Sequence, residues 1–348
     1  MRKGVGKLSV RVLLPGLLLL VACQPNMLES GWRDYLSRIA TALHTDLPVV
    51  EAPAAVAMPR VRELQLANNT TQRSSIGILE FLALDDCKLK QVIAARNSPL
   101  GKLAPGSQQL VYELRFLQHA PACIDVLQRE ARNELAAALA IEFEQKQAKL
   151  PVYLWRATLG GPEFRELWQV PAALGDYPAS VGDELVSALQ QVQAMAEQWL
   201  AGNYAVDMVR FETLLGTIRR GDAGRLHRAL AAQAGVLRIA DTIITHTAEQ
   251  RADLCNQQRV TAASKVFNTV VKKFWLGKMQ LHAAALNRRY YGLHETIMAL
   301  ESLLAAGENA TYRNWREQRD ADMQAWLGAP RKHVEAIQLF YDQCGIST

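Results

Sequence analysis

The chain has 348 residues, 49% of them hydrophobic, with 39 Lys and Arg against 34 Asp and Glu and a formal charge of +5. Four of those positive charges, Arg2, Lys3, Lys7 and Arg11, crowd the start of the chain, and beyond them 35 basic residues face 34 acidic ones. A nearly neutral body lacks the clustered, uncompensated Lys and Arg that nucleic acid attracts, which argues against a nucleic-acid partner. The length allows one large domain or two modest ones, with ample core in either case.

The positive start leads into an apolar run, Val12 to Ala22, that holds Pro15 and Gly16. It is far short of the roughly 20 residues that a spanning helix needs, so residues 1–22 read as a signal peptide. Leu20-Val21-Ala22-Cys23 resembles the lipobox of bacterial lipoproteins. That resemblance implies that Cys23 carries a covalent lipid and becomes the first residue of the mature chain. Three acyl chains hold a protein to a membrane where one gives only marginal anchoring. Gln24 follows, not the Asp that marks inner-membrane retention in such lipoproteins, so the implied location is the periplasmic face of the outer membrane.

Leu28, Trp32, Leu36, Ile39 and Leu43 recur at helical spacing and predict a first amphipathic helix that packs on the body. Pro48, Pro53 and Pro59 forbid helix and predict an extended linker, so that residues 23–59 hold anchor, helix and linker. Val61, Leu64 and Leu66 suggest a short strand without a partner. From Ser74, Ile76, Leu79, Phe81 and Leu84 predict a helix leading to Cys87, and a short helix runs on to Ala95. Pro and Gly make 96–102 a loop. A helix started by Pro105 carries Leu110, Leu114 and Leu117, and a separate one starts at Pro121 and reaches Leu150.

Cys87, Arg96-Asn97-Ser98, Leu100-Gly101-Lys102 and Gln109-Leu110-Val111-Tyr112-Glu113-Leu114 resemble an uncharacterised family of proteobacterial lipoproteins, a domain of unknown function. The likeness implies no activity.

Pro151, Gly160-Gly161-Pro162, Pro171 and Gly175 break the pattern and place a boundary between a helical half at 60–175 and a long-helix bundle at 176–348. Ser180 and Asp183 read as a capping box ahead of a helix with Leu185, Leu189, Val192 and Trp199. Two long helices follow, the second with an apolar seam of Val266, Val270, Phe274, Leu281, Leu286, Tyr290, Leu293 and Ile297. Two more carry Trp315 to Trp326 and Val334 to Cys344. The fold class is therefore all-α, a multi-helix bundle of two packed halves with a Pro-rich extended segment near the mature N-terminus. The later half is expected to fold alone.

After Cys23 there remain Cys87, Cys123, Cys255 and Cys344. An even number fits an oxidising compartment and allows three connectivities. Nearest partners within each half favour Cys87 with Cys123 and Cys255 with Cys344. Their spacing does not suit a metal site.

Catalytic motifs are missing from the sequence. His294-Glu295 begins H-E-x-x-H, but Met298 stands at the second His position, and the seven histidines are scattered. Arg96, Asn97, Ser98 and Lys102, ahead of the helix with Tyr112 and Glu113, could form a polar pocket for a carboxylate or phosphate, or a capped loop with an ion pair to Glu113. Lys272-Lys273 and Arg288-Arg289-Tyr290-Tyr291 read as a solvated basic face. No cofactor pattern occurs; the one bound group expected is the lipid on Cys23. Three functions fit: a helical interaction or scaffold protein of the cell envelope with a protein partner, a periplasmic carrier or sensor of an amphiphile, and an enzyme with an unrecognised site. The absence of catalytic motifs favours the first.

Overall fold

A computed structural model describes residues 27–50, 54, 56–66, 87–178, 182–254 and 259–346. Cys23, the pattern from Ile76 to Leu84, Ser180 and Cys255 lie outside the described residues. The described residues form an all-α bundle without strands, as the periodicity predicts.

The first helix, α1 (Met27–Ala42), buries Trp32, Tyr35, Leu36 and Ile39 completely. After the Pro-rich stretch, Val61–Leu66 forms a short helix, α2, and not the expected strand. Glu63 accepts a hydrogen bond from the Arg60 backbone amide and caps that turn, while Leu64 is buried, so local capping overrides a three-residue apolar pattern.

Helices α3 (Leu89–Asn97) and α4 (Pro99–Lys102) meet at Ser98, whose hydroxyl accepts from the Gly101 amide at 3.0 Å. The stretch read as a loop is thus one capped helical turn. α5 (Gly106–Arg129) and α6 (Asn133–Ala157) then pack along each other. Both contain an internal proline, Pro121 and Pro151, that the sequence reading treats as a breaker. Pro121 is exposed, where a carbonyl left without its amide partner can turn to water, and burial of the flanking residues outweighs the cost of about 3 kcal/mol. The break falls at Ala131, whose φ of 57° lets the Arg132 amide close on Leu127. Cys87 and Cys123 are joined by a disulfide with Cα atoms 5.5 Å apart, inside a small cluster with Leu89, Phe116, Leu127 and Leu139.

After α7 (Pro162–Leu167) come α8 (Glu184–Leu200), α9 (Met208–Arg219) and the 28-residue α10 (Ala223–Gln250). Asp183 stands at the N-cap of α8 but its side chain makes no capping bond. The second long helix has three parts: α11 (Ala262–Val270), a π-helix (Val271–Met279) and α12 (Gln280–Leu303). The π segment takes more residues per turn, so the face that meets the core slips in register. Trp275, Met279 and Ala283 turn inward, whereas Val266 and Leu281, expected in the seam, are 52% and 67% exposed. α13 (Ala310–Leu327) is capped by the Asn309 side chain, and α14 (Ala329–Cys344) ends at Gly345 in the left-handed conformation. Cys344 is buried and disulfide-bonded.

The largest core runs from Trp32 through Leu114, Trp155 and Trp168 to Phe340 and has no seam at residue 175. α1 lies against α10, α11 and the π-helix, so it fills the bundle of the later half. A fragment from Ser180 to Thr348 lacks Trp32, Tyr35, Leu36 and Ile39. It is expected to melt without a cooperative transition by circular dichroism, whereas the full chain melts in one. A sharp melt of the fragment alone would restore the two-domain reading.

Candidate functional site

On α10, Arg238, Asp241, Thr242, Thr245, His246 and Glu249 recur every three or four residues and so share one face beyond the core stripe. That face forms one wall of an open groove of about 1070 Å³. The opposite side comes from Ala325, Trp326, Ala329 and Lys332, where α13 passes into α14, and Ala54 of the Pro-rich segment also borders it. Small residues set its depth, Trp326 offers an apolar surface, and both signs of charge are present.

Asp241 is the groove residue with the deepest connection. His333 Nδ1 lies 2.5 Å from its Oδ1, and Tyr35 Oη lies 2.6 Å from His333 Nε2. A carboxylate only accepts, so Nδ1 carries the proton and donates to Asp241, which leaves Nε2 to accept from the Tyr35 hydroxyl. Burial first, and the nearby Asp241 charge second, hold the Tyr35 phenol well above its ordinary range, so it keeps that proton. Trp275, turned inward by the π-helix, closes the chain: its ring stands edge-on to His333 at 4.5 Å and stacks on Tyr35 at 6.0 Å. Tyr35 and His333 have no exposure, while Asp241 keeps 21% of its side chain in contact with solvent. The arrangement therefore fixes a carboxylate at the groove wall. It does not present a nucleophile, because the tyrosine is sealed.

The Arg319 guanidinium, 1% exposed, is held by Glu301 at 2.8 and 3.0 Å and lies over the rings of Trp168 and Trp315 at 4.7 and 4.9 Å. Tyr312 donates to the same carboxylate at 2.6 Å. A cavity beside Arg319, bordered by Trp168, Leu226, Tyr290, His294 and Met323, has room for only about 10 Å³, less than a drug-sized ligand by more than an order of magnitude.

The polar set expected near the N-terminal disulfide is only partly assembled. Arg96 Nε approaches Glu113 at 3.4 Å, but Lys146, not foreseen in the sequence, takes the other carboxylate oxygen at 2.6 Å. Burial lowers the Lys146 pKa, but the Glu113 carboxylate, with smaller help from Tyr153 and Glu142, more than offsets it and leaves a net rise. Ser98 is used as a cap, Asn97 and Lys102 are exposed, and Tyr112 is half-buried. These residues join α3, α5 and α6. Among the described residues, no group of His, Cys, Asp and Glu is placed to hold a metal ion.

The sequence reading missed Asp241, His333 and Tyr35, which lie 92 and 298 positions apart along the chain. The spacing of polar residues along α10 was the one available signal.

His227 on α10 is buried between Trp168 and Trp326, and its Nε2 has no hydrogen-bond partner among the described residues. Burial, and then the Arg319 charge, push its pKa down from 6.5 to about 4. The unfolded chain therefore takes up this proton first as the pH falls. Stability from this group is complete above about pH 6.5 and is lost progressively toward pH 4, by roughly 3 kcal/mol. His227→Phe keeps the ring packing and is expected to flatten that part of a urea-denaturation profile measured from pH 7 to pH 4.

No curated protein sequence and no solved structure matches the chain. Residues 32–348 match the family model described as Protein of unknown function (DUF3080). That span includes every helix from Trp32 of α1 to the end of α14, together with the groove and the Asp241–His333–Tyr35 chain, and the protein belongs to this family.

Proposed function

We propose that the protein is a lipid-anchored helical adaptor on the periplasmic face of the outer membrane, and that the groove between α10, α13 and α14 takes a peptide segment of an envelope protein. The observation that carries this reading is the contrast between an open groove of about 1070 Å³ and an interior cavity of about 10 Å³. A carrier would need to enclose an amphiphile, and the interior around Arg319 is filled by the rings of Trp168 and Trp315. An extended peptide needs less: small residues that let its backbone approach, hydroxyls such as Thr242 and Thr245, a fixed carboxylate, and an aromatic face. The lipobox-like Leu20-Val21-Ala22-Cys23 supports the anchor. An acid–base role for Asp241 is the second reading, favoured by its bond to His333.

Two experiments test these parts. Globomycin, which blocks the lipoprotein signal peptidase, should accumulate a precursor, and Cys23→Ser should abolish acyl labelling. Normal processing under the drug would refute the anchor. A photo-crosslinking residue at Thr242 should yield a discrete adduct with an envelope protein that disappears in an Arg238→Glu/Lys332→Glu variant. Adducts no stronger than those from exposed Gln190, or unchanged by the double variant, would refute the groove as the binding site.

A further inference from the structure

The long α11–π–α12 helix carries a charge pattern that the groove does not use. Between Arg259 and His294 the sequence holds seven Lys and Arg and no Asp or Glu. Arg289 is committed to Asp222 at 2.5 Å. The other six are exposed, and none forms an ion pair among the described residues. In a chain whose mature part is close to neutral, this is the strongest local separation of charge along the helices described above.

The π-helix gathers part of that charge onto one face. Because its wider turns send Trp275 and Met279 inward, Lys272, Lys273 and Leu276 fall on the outer side, the side that Leu281 also takes in the next turn. Val266, Leu276 and Leu281 are 52%, 49% and 67% exposed. The result is a face on the order of 10 Å long on which exposed lysines stand beside Leu276 and Leu281. At its border with α1, two cations meet over one ring. Arg38 lies 4.0 Å and Lys278 Nζ 5.7 Å from the centre of the half-buried Phe274. Asp34, paired with Arg38 at 2.9 Å, is the acidic group shown beside them.

We infer that this face rests on a membrane surface rich in anionic phospholipid, with the lysines at the headgroups and Leu276 and Leu281 at the acyl boundary. Exposed aliphatic side chains flanked by lysines are the composition of an interfacial helix, and each Lys near an anionic surface strengthens binding through electrostatic attraction. The position of α1 agrees. Trp32 meets His282, Tyr35 meets Trp275 and Arg38 meets Phe274, so α1 runs antiparallel to this stretch and begins near its Leu281 end. Cys23 precedes Met27 by four residues, a reach of about 14 Å at most. The orientation that results rests on the proposed acyl anchor; the lipid contact itself does not.

The test uses the full mature chain with Cys23→Ser, so that no acyl chain contributes. It should co-sediment at low salt with vesicles containing phosphatidylglycerol and not with vesicles of phosphatidylcholine alone. Binding should fall at high salt. K272E/K273E/K278E should weaken it on the order of 100-fold, from about 1 kcal/mol per lysine. K88E/K102E/R129E, the same change of net charge on the N-terminal helices, should leave it unchanged. Leu276→Ser/Leu281→Ser, which alters no charge, should weaken it about tenfold. Circular dichroism melts establish that each variant is folded. Equal losses in the two charge variants, equal binding to both vesicles, or no binding to the anionic ones would overturn the proposal. So would a lipid-free dimer abolished by K272E/K273E/K278E, which would assign the face to a second copy. Acyl labelling of Cys23 succeeds or fails independently of all these results.

Discussion

A guanidinium with 1% exposure cannot be left without partners, and Arg319 draws its partners from several parts of the chain. Glu301 reaches it from the end of α12, Trp168 from the segment after α7, and Trp315 from its own helix. Tyr312, which shares the Glu301 carboxylate, stands edge-on to Trp155 of α6. One buried charge thereby ties the helices before residue 175 to those after it. Loss of one member of such a pair leaves the other charged and desolvated, a cost of about 3–5 kcal/mol, whereas replacing both can be neutral. The pair explains why the stretch rich in Pro and Gly is part of the core and not a hinge.

Much of the architecture was legible because period 3.6 survives in the sequence. Trp32, Leu36 and Ile39 predicted α1, and the long apolar stripes predicted α10 and the last helices. The nearest-partner argument found the Cys87–Cys123 bond. What could not be read has physical causes. Pro121 and Pro151 read as breaks because propensity counts the missing amide and not the tertiary contacts that outweigh it. The π-helix leaves no compositional mark, so Val266 and Leu281 were placed inside. The Asp241–His333–Tyr35 chain joins three helices through single side chains, and no local pattern encodes such a meeting.

The site and the π-helix are physically connected. Trp275 reaches His333 and Tyr35 only because the π turns rotate it inward, and the same rotation carries Leu276 outward. The carboxylate at the groove wall and the basic stripe on the opposite side of that helix are two results of one departure from α geometry. π segments are rare and cluster at functional positions, and this one supports both faces.

The placement of α1 also bears on the order in which the chain can fold. α1 emerges first, yet Glu29 pairs with Arg228, 199 residues later, and Tyr35 with His333, 298 residues later. Contacts of such separation raise the loop-closure cost before any reward is gained and slow folding. Until α10 and the helices after it have been made, Trp32, Leu36 and Ile39 have no core to enter, and an apolar helix face stays open. A chain built this way carries an aggregation-prone surface for most of its own synthesis.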